Sequence, residues 1–567
     1  MGGEGRVLER WKEYFEELLN VGETMREVED SREMDVEIVE GGRGEREGIE
    51  MGEIEKALCK VKKGKAPGMD GIQIEMIKGM GMEVKEWLLR LFNVCWKKGK
   101  VPQEWQVVCL VPIYKGKGDR TECGSYRGIS LMSVVGKLYG RIIEERCRRK
   151  TENLIGEEQG GFRKGRGCMD QIFTFKSLSE KFVEMKREMY VCFMDLEKAY
   201  DRVDRENLFS VLYKRGVRGG LLNAVKAFYK NSMAGVRMGH KVGDLFEVKG
   251  GLRQGCVMSP WLFNLYLDDV IKGMNREGRG VRINYRGEKE EVSVLLFADD
   301  GVLMAETEQK LGELVEQFRR ECEQKGLRVN VNKTKVMRVG ERGEGGIGGE
   351  NVRIGGERVE RERKFRYLGV DLMEDGCMDG EIEHRLAEGN KVLGGLREIF
   401  KKGVSKAVKM RLYESVLIPT LTYGCEAWVV SAKVKKKIEV LEMRVLREIV
   451  GVRRVDRIRN ARVRNMCESG VSLMGLVEKR ILRWFGHLIR MNEERLVKRV
   501  MTCEIEGRRG RGRPGKRWMD CLKEILIEMG LSWEEKAELA RDRKRWRGVV
   551  GEGIEGREKM LGRILDE

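Results

Sequence analysis

Two adjacent carboxylates separate two apolar runs, and this pattern constrains the fold of the chain more than any other. Asp299 and Asp300 follow the run Leu295–Ala298 and precede the run Gly301–Met304. Hydrophobic residues on both sides of a short polar tip predict a tight hairpin with a buried sheet and both acids at its turn. Because like charges so close together repel, the pair favours a bound divalent cation. A third carboxylate is then expected nearby.

The third carboxylate follows another apolar run. Asp195 comes directly after Tyr190–Met194, which also has the character of a buried strand. Two strands that deliver Asp195, Asp299 and Asp300 to one edge would hold two Mg²⁺ ions about 3.5–4 Å apart, an arrangement that clamps the attacking and leaving oxygens of phosphoryl transfer. The alternative is two ordinary strands with acidic ends, since Asp-Asp pairs are common in loops.

Further motifs lie on both sides of these strands and support the first interpretation. They are Lys65–Gly71, Tyr126–Leu131, Gln159–Arg166, Gly250–Pro260 with the apolar helix Trp261–Val270, Gly326–Lys335 and Phe365–Gly369. In this order and spacing, the segments resemble the palm of a reverse transcriptase, specifically that of non-LTR (LINE-like) retrotransposons. The resemblance covers most of the chain. It implies an α+β right-hand polymerase with fingers and palm, a helical thumb and a basic helical C-terminal region.

The resemblance also implies roles for the acids. Asp195, Asp299 and Asp300 would be the catalytic ligands of two Mg²⁺ ions, for which Mn²⁺ could substitute. One ion would lower the pKa of the primer 3′-hydroxyl, and the other would neutralise the pyrophosphate leaving group. Lys333 is the candidate proton donor to pyrophosphate, and a plain surface lysine is the alternative.

Five residues make up the expected nucleotide site. Lys115 and Arg127 suit the triphosphate, because its oxygens favour a point-charge lysine and a forked arginine, and a solvated basic turn is the alternative. Tyr200 stands where the family carries a bulky aromatic against the sugar, so its ring would exclude ribonucleotides; a packing tyrosine is the alternative. Gln254 and Gly255 stand where the family shapes the floor beneath the incoming nucleotide, and glycine permits close backbone approach.

The charge balance agrees with a nucleic-acid partner. A net charge of +18 and a pI near 9.2 give a basic field suited to a phosphate backbone. The residues expected to contact nucleic acid are Arg163, Arg166, Arg508, Arg509, Arg511, Arg513, Lys516 and Arg517. Arginines interleaved with Trp484 and Trp546 suit base stacking, although tryptophans anchored in the core under a basic face fit the pattern equally well.

Cysteine and histidine usage argues for a reducing compartment. The chain has 14 cysteines and three histidines, with no Cys-x-x-Cys pair. Cys467, His487, Cys503 and Cys521 would be the candidates for a zinc site, but their irregular spacing favours scattered structural residues. No apolar run reaches about 18 residues and no signal peptide is evident, so we expect an intracellular protein of the nucleus or cytoplasm without a membrane partner.

The expected domain organisation follows the resemblance. It comprises an N-terminal helix and linker (1–48), an N-terminal extension of the fingers (49–93), the reverse transcriptase domain (94–372), a thumb-like helical region (373–475) and a basic nucleic-acid-binding region (476–567). In the resembled family the N-terminal helix follows an endonuclease domain. We therefore expect endonuclease activity, if needed, to be supplied elsewhere.

These expectations describe an RNA-directed DNA polymerase of retrotransposon origin, with an RNA template, a DNA primer and dNTPs as partners. The alternative is a catalytically silent, retrotransposon-derived protein that binds RNA or DNA through its basic surface. An RNA-templated RNA polymerase is a weaker rival, which Tyr200 disfavours. The sequence specifies neither the template nor the oligomeric state.

Overall fold

The computed structural model describes residues 3–20, 48–340, 352–510 and 515–566. The chain divides into two compact units. The first comprises Met1–Lys164, Asp195–Asn275 and Glu316–Asn330, and the second comprises Gly165–Met194, Arg276–Val315 and Val331–Glu567. The predicted linker falls almost wholly on residues 21–47, which lie outside the described residues.

The α-helices, in chain order, are α1 (Gly3–Leu19), α2 (Met51–Lys60), α3 (Ile74–Gly79), α4 (Met82–Lys98), α5 (Gln103–Gln106), α6 (Val134–Thr151), α7 (Cys168–Glu184), α8 (Arg205–Lys214), α9 (Gly219–Tyr229), α10 (Ser259–Gly273), α11 (Glu308–Gln324), α12 (Asp379–Lys401), α13 (Lys406–Leu412), α14 (Ile418–Leu421), α15 (Ala432–Val450), α16 (Asn460–Cys467), α17 (Leu473–Arg490), α18 (Leu496–Thr502), α19 (Trp518–Glu528), α20 (Trp533–Arg541) and α21 (Arg543–Asp566). The strands are β1 (Val107–Tyr114), β2 (Tyr126–Leu131), β3 (Met189–Met194), β4 (Met233–Met238), β5 (Lys241–Val242), β6 (Phe246–Glu247), β7 (Val281–Tyr285), β8 (Glu288–Val292), β9 (Val294–Phe297), β10 (Asp300–Ala305), β11 (Lys335–Val339), β12 (Arg353–Ile354), β13 (Glu357–Arg358), β14 (Glu360–Arg361), β15 (Lys364–Tyr367) and β16 (Val370–Met373).

The first unit is built around a sheet with the strand order β2-β1-β4-β5, in which β6 also pairs with β4. Helices α4, α6 and α9 share an aromatic core with Trp105, whose members are Phe92, Tyr139 and Phe228; ring centroids lie 5.3 to 6.4 Å apart. Helix α1 forms within the region where an N-terminal helix is predicted. Its buried Trp11 meets the ring of Tyr126 on β2 at 5.0 Å.

The second unit is built around a sheet with the order β14-β11-β3-β10-β9. Its core joins this sheet to the C-terminal helices through α7, whose Phe173 ring lies 5.7 Å from Trp484 and 4.8 Å from Trp518. Since β3 and β10 are buried along nearly their whole length, they read in the sequence as continuous apolar runs rather than alternating ones. The strands predicted before each acid are therefore confirmed.

The region after Asp371 is helical, as predicted for a thumb-like segment. Helices α12 and α15 lie in this region, and α13 continues through one π-helical turn, Tyr413–Leu417, into α14. Residues 341–351 lie outside the described residues. After them, β12 and β13 pair as a hairpin around Gly355 and Gly356, whose positive φ angles of 57° and 89° suit a two-residue turn.

Strands in separate sheets and helices are both present, and a helical C-terminal region follows them. This confirms the predicted α+β class. Within the described ranges, no helix is long and apolar enough to cross a membrane.

Candidate active site

The carboxylate hairpin forms where the sequence predicts it. Strands β9 and β10 are antiparallel, and Phe297 pairs with Asp300, which leaves Ala298 and Asp299 as the two turn residues. Asp299 and Asp300 are both exposed, whereas Leu295, Leu296 and Val302 are buried beneath them. Apolar anchoring of both strands therefore fixes the position of an acidic tip.

The turn itself carries backbone strain. Ala298 has a φ of +59°, a conformation that L-residues other than glycine, asparagine and aspartate seldom adopt. Such outliers cost about 1–3 kcal/mol and persist where the surrounding structure holds them. In this hairpin, the paired strands on either side supply that restraint.

The strand that precedes Asp195 is the neighbour of β10. In the second unit β3 and β10 are antiparallel, with Met194 opposite Gly301. Asp195 is the residue after Met194 in the chain, and Asp300 is the residue before Gly301. In the chain, Asp195 and Asp300 are therefore each next to a residue of this pair.

The segment that begins at Asp195 is also held within the first unit. The Asn330 backbone N–H donates to the Asp195 carbonyl at 2.8 Å, and Leu196 forms a β-bridge with Val329. Asp195 itself is half-buried. These contacts tie the first acid to the Gly326–Lys335 motif.

Asp300 influences two neighbouring side chains in the second unit. Burial raises the pKa of the Tyr367 hydroxyl well above its ordinary value, and the Asp300 charge adds to that rise. The pKa of the Cys168 thiol is raised in the same way, chiefly by burial and also by Asp300. The Asp300 charge therefore acts on both the Tyr367 hydroxyl and the Cys168 thiol.

The donor chemistry at the tip suits a hard divalent cation, because exposed carboxylate oxygens are the ligands that Mg²⁺ and Mn²⁺ prefer. Across the ranges that the structure describes, no group of three or more His, Cys, Asp or Glu side chains is gathered closely enough to hold a metal ion. Asp299 and Asp300 are adjacent and exposed, so a cation from solvent can reach this tip without a rearrangement of the hairpin.

In the first unit, Tyr200 has a fixed ring. It lies in the turn after Asp195 and stacks on Phe263 of α10, with ring centroids 4.6 Å apart and planes inclined by 16°. Phe263 is fully buried, and Tyr200 is half-buried. One face of the Tyr200 ring therefore packs against Phe263, and this contact fixes the orientation of the ring.

The loop that carries Gln254 and Gly255 docks on the same turn. Leu252 N–H donates to the Tyr200 carbonyl at 2.7 Å, and Ser130 N–H on β2 donates to the Gln254 carbonyl, also at 2.7 Å. Gly255 has a φ of +111°, and a Cβ added there would lie 2.8 Å from the Ser130 oxygen. Only glycine fits this close approach.

Asp201 links the turn after Asp195 to the loop of Gln254, and the sequence analysis did not identify it as a site residue. The Gln254 side chain donates through Nε2 to both Asp201 carboxylate oxygens, at 3.3 and 3.5 Å. Burial raises the pKa of Asp201 to about 6, against the opposing effects of the Lys198 charge, the Gln254 hydrogen bond, and the Lys115 and Arg127 charges. The two predicted triphosphate ligands, both exposed, therefore share an electrostatic environment with Gln254.

Two buried arginines, also missed, hold the loop from behind. Arg253 donates to the carbonyls of Trp105, Gln106 and Phe228 and to the Ser232 hydroxyl, at 2.6 to 3.1 Å. Arg205 donates to the carbonyls of Tyr229, Val248, Gly250 and Gly251, at 2.7 to 3.2 Å. The Tyr229 ring lies 5.0 and 5.4 Å from the two guanidinium groups. Backbone carbonyls, rather than carboxylates, thus compensate both charges.

The remaining predicted catalytic residue, Lys333, is exposed in the turn that precedes β11 in the second unit. Its proposed proton transfer stays a prediction.

The basic residues predicted to contact nucleic acid lie in different surroundings. Arg163 is buried and donates to the Glu152 carboxylate at 3.0 Å and to nearby carbonyls, so it would have to leave these partners to bind a phosphate. Arg509 and Arg517 pair with Glu184, and Lys516 pairs with Glu524. Arg508 is exposed and Arg166 is half-buried, while Arg511 and Arg513 lie outside the described residues.

The structure resolves the open question about the C-terminal tryptophans. Trp484 and Trp546 are 8% and 2% exposed, and the Trp546 indole N–H donates to the Leu482 carbonyl at 2.9 Å. Both rings therefore anchor the core and are closed to base stacking. The thiols of Cys467, Cys503 and Cys521 each contact a different backbone carbonyl, those of Leu446, Val500 and Val430.

Comparison with known proteins finds a family model that matches the central part of the chain. Residues 113–372 match the family model for reverse transcriptase (RNA-dependent DNA polymerase), and members of that family use divalent metal ions. The RNA-directed DNA polymerase from mobile element jockey of Drosophila melanogaster is 24% identical over 417 residues, covering 71% of this chain and 44% of the relative. The 115 kDa protein of the type-1 retrotransposable element R1DM, from the same species, is 24% identical and covers 67% and 36%.

The chain thus spans less than half the length of these relatives. Among solved structures, telomerase from Candida tropicalis bound to a fragment of telomeric RNA has a TM-score of 0.36 at 12% identity, covering 74% of this chain and 68% of that one, a likeness too slight to support an inference. The family match confirms the predicted polymerase fold class. Residues 113–372 form a reverse transcriptase domain, and the chain is similar to the reverse transcriptases of non-LTR retrotransposons.

Proposed function

We propose that this protein is an RNA-directed DNA polymerase that extends the 3′-hydroxyl of a DNA primer with dNTPs on an RNA template. The observation that supports the proposal is the register of β3 and β10 in the second unit, in which Met194 faces Gly301, since Asp195 follows Met194 in the chain and Asp300 precedes Gly301. That register lies inside the range that matches the reverse transcriptase family.

The three acids would hold two Mg²⁺ ions, with Mn²⁺ as a substitute. When bound, such ions activate the primer hydroxyl and neutralise the leaving pyrophosphate. The contribution of Asp195, Asp299 and Asp300 is position and charge: each carboxylate extends from a strand end whose backbone is fixed by sheet pairing or by Asn330. Lys333 would donate a proton to the departing pyrophosphate.

The first unit would bind the nucleotide. Lys115 and Arg127 would hold the triphosphate, since both are exposed and lie within electrostatic reach of the same carboxylate. Tyr200, fixed by its stacking on Phe263, would exclude a ribose 2′-hydroxyl. Gln254 and Gly255 would form the floor, because Gly255 allows the backbone to approach within contact of β2.

Template and primer would be bound mainly through phosphate contacts by exposed lysines and arginines, of which Arg508 is a candidate in the predicted set. The net charge of +18 supports this partner class and predicts binding that weakens steeply with salt.

Primer extension by the purified protein tests the proposal. A DNA primer annealed to an RNA template should lengthen in the presence of Mg²⁺ and dNTPs, and omission of the metal should stop it. Tight binding of the same primer-template without extension under any metal would instead support the silent binding protein.

A further inference from the structure

One carboxylate of the first unit has no role in the catalysis proposed above. Asp201 follows Tyr200 in the turn, where its backbone N–H donates to the Lys198 carbonyl at 2.9 Å. Its side chain is half-buried and accepts from Gln254 Nε2 at 3.3 and 3.5 Å. An acid withdrawn from water in this way is costly unless its surroundings use the charge.

The Gln254 side chain depends on this contact. Its main chain is fixed by the hydrogen bond from Ser130, but in the described part of the chain the carboxylate of Asp201 is the sole hydrogen-bond partner of its amide. A glutamine amide has a donating end and an accepting end, and an ionised carboxylate can only accept. Asp201 therefore selects the NH₂ end and leaves Oε1 as the end that is available to a ligand.

Asp201 faces charged or titratable groups from several elements. Lys198 lies in its own turn, Lys115 follows β1, and Arg127 belongs to β2. The Tyr14 hydroxyl of α1 also lies within reach, since the Asp201 charge contributes to the raised pKa of that tyrosine after burial. The three cations partly offset the burial, which raises the pKa of Asp201 to about 6.

The backbone on both sides of the Asp201–Gln254 pair is closely packed, so we expect it to stay in place when the side-chain contact is lost. Gly251 N–H donates to the Val203 carbonyl at 3.0 Å, and a Cβ on Gly251 would lie 2.8 Å from the Asp201 carbonyl oxygen. The loop and the turn are thus docked independently of the side-chain contact. Removing the Asp201 carboxylate should free the amide while the loop stays in place.

We propose that Asp201 is a positioning residue of the nucleotide site, which acts by holding the Gln254 amide so that its carbonyl oxygen faces the incoming nucleotide. This inference rests on the proposed function, because it assumes that Gln254 contacts the nucleotide. It adds a specific partner and a defined amide orientation to that site.

The test is a double-mutant cycle read out as dNTP affinity. The protein is bound to an RNA template whose DNA primer ends in a dideoxynucleotide, so that binding is measured without chemistry. Asp201→Ala should weaken dNTP binding about tenfold, the size of a lost charge-assisted hydrogen bond. Gln254→Ala should weaken it at least as much, and the double variant should be no weaker than Gln254→Ala alone.

A pH series separates positioning from a merely structural role. Asp201→Asn keeps the shape but not the titration, so the affinity of the native protein should approach that of Asp201→Asn as the pH falls from 8 to below 6, where Asp201 becomes protonated. The matched control is Glu206→Gln, which removes an exposed charge from the first turn of α8 and should leave affinity unchanged at every pH.

Each result has one meaning. Additive losses in the cycle, or an Asp201→Ala variant with native affinity, would overturn the positioning role even if the protein extends primers normally. Failure of the native protein to extend a free 3′-hydroxyl, with the cycle behaving as described, would instead reject the polymerase and retain the Asp201–Gln254 pair. No detectable dNTP binding by the native complex would reject both.

Discussion

Replacement of Phe263 by leucine should loosen discrimination against ribonucleotides without touching Tyr200 itself. The two rings stack at 4.6 Å with planes 16° apart, and Phe263 is fully buried in α10. Stacked aromatic pairs contribute about 0.5–1.5 kcal/mol beyond the area they bury. Since about 1.4 kcal/mol is a factor of ten, the loss of this restraint should raise the ratio of rNTP to dNTP incorporation about two- to tenfold.

The assay is steady-state single-nucleotide incorporation with matched rNTP and dNTP. Phe92→Leu is the control, because Phe92 is equally buried in the first unit but packs against Trp105 and Tyr139. Both variants should lose stability by a similar amount, and only Phe263→Leu should change the ratio. Tyr200→Ala sets the upper limit of the effect. A Phe263→Leu variant that discriminates like the native protein, beside a Tyr200→Ala variant that does not, would refute the argument that stacking holds the gate.

Three further predictions follow from the nucleotide site. Gly255→Ala should destabilise the protein by about 1–3 kcal/mol and raise the KM for dNTP, because φ at this position is +111° and the new Cβ would meet the Ser130 oxygen. Chemical denaturation measures the first effect and steady-state kinetics the second, and a variant with native stability and native KM would contradict the geometry. Arg253→Met should cost about 3 kcal/mol or more in chemical denaturation, since four acceptors lose their buried donor; a loss below about 1 kcal/mol would show that the guanidinium is dispensable. Asp201→Asn should stabilise the fold at pH 8 by up to about 3 kcal/mol, because the pKa of Asp201 in the folded state, about 6, lies above the ordinary 3.8, and ionisation of the carboxyl as the pH rises therefore opposes folding. The gain in stability should shrink as the pH falls from 6 towards 4, and a difference that does not depend on pH would exclude this cause.

Local patterns in the sequence predicted the parts of the site that depend on neighbouring residues. The hairpin tip at Asp299 and Asp300 is encoded by apolar runs on either side, and the strand before Asp195 by its own apolar composition. The close approach of Gly255 to Ser130 on β2 was not predicted, and the expected approach of Gly255 to the nucleotide stays a prediction.

Other parts depend on contacts distant in the chain and leave no local signal. Asp201 meets Gln254 across 53 positions, and Arg253 reaches Trp105 across 148. A buried arginine whose partners are mostly backbone carbonyls looks like any surface arginine in the sequence. Trp484 and Trp546 were ambiguous for the same reason, because arginines interleaved with tryptophans fit both a stacking surface and a core with a basic outer face.

Charge removal at the hairpin tip tests the central claim most directly. Asp299→Asn keeps the size of the side chain and removes a predicted metal ligand, whereas Glu288→Gln removes an exposed charge from β8 as a control. Extension of a DNA primer on an RNA template is measured beside the binding isotherm of the same primer-template. We predict that Asp299→Asn abolishes extension in Mg²⁺ and binds the primer-template nearly as tightly as the native protein, while Glu288→Gln changes neither. Near-native extension by Asp299→Asn would contradict the assignment of the acidic tip as the catalytic centre.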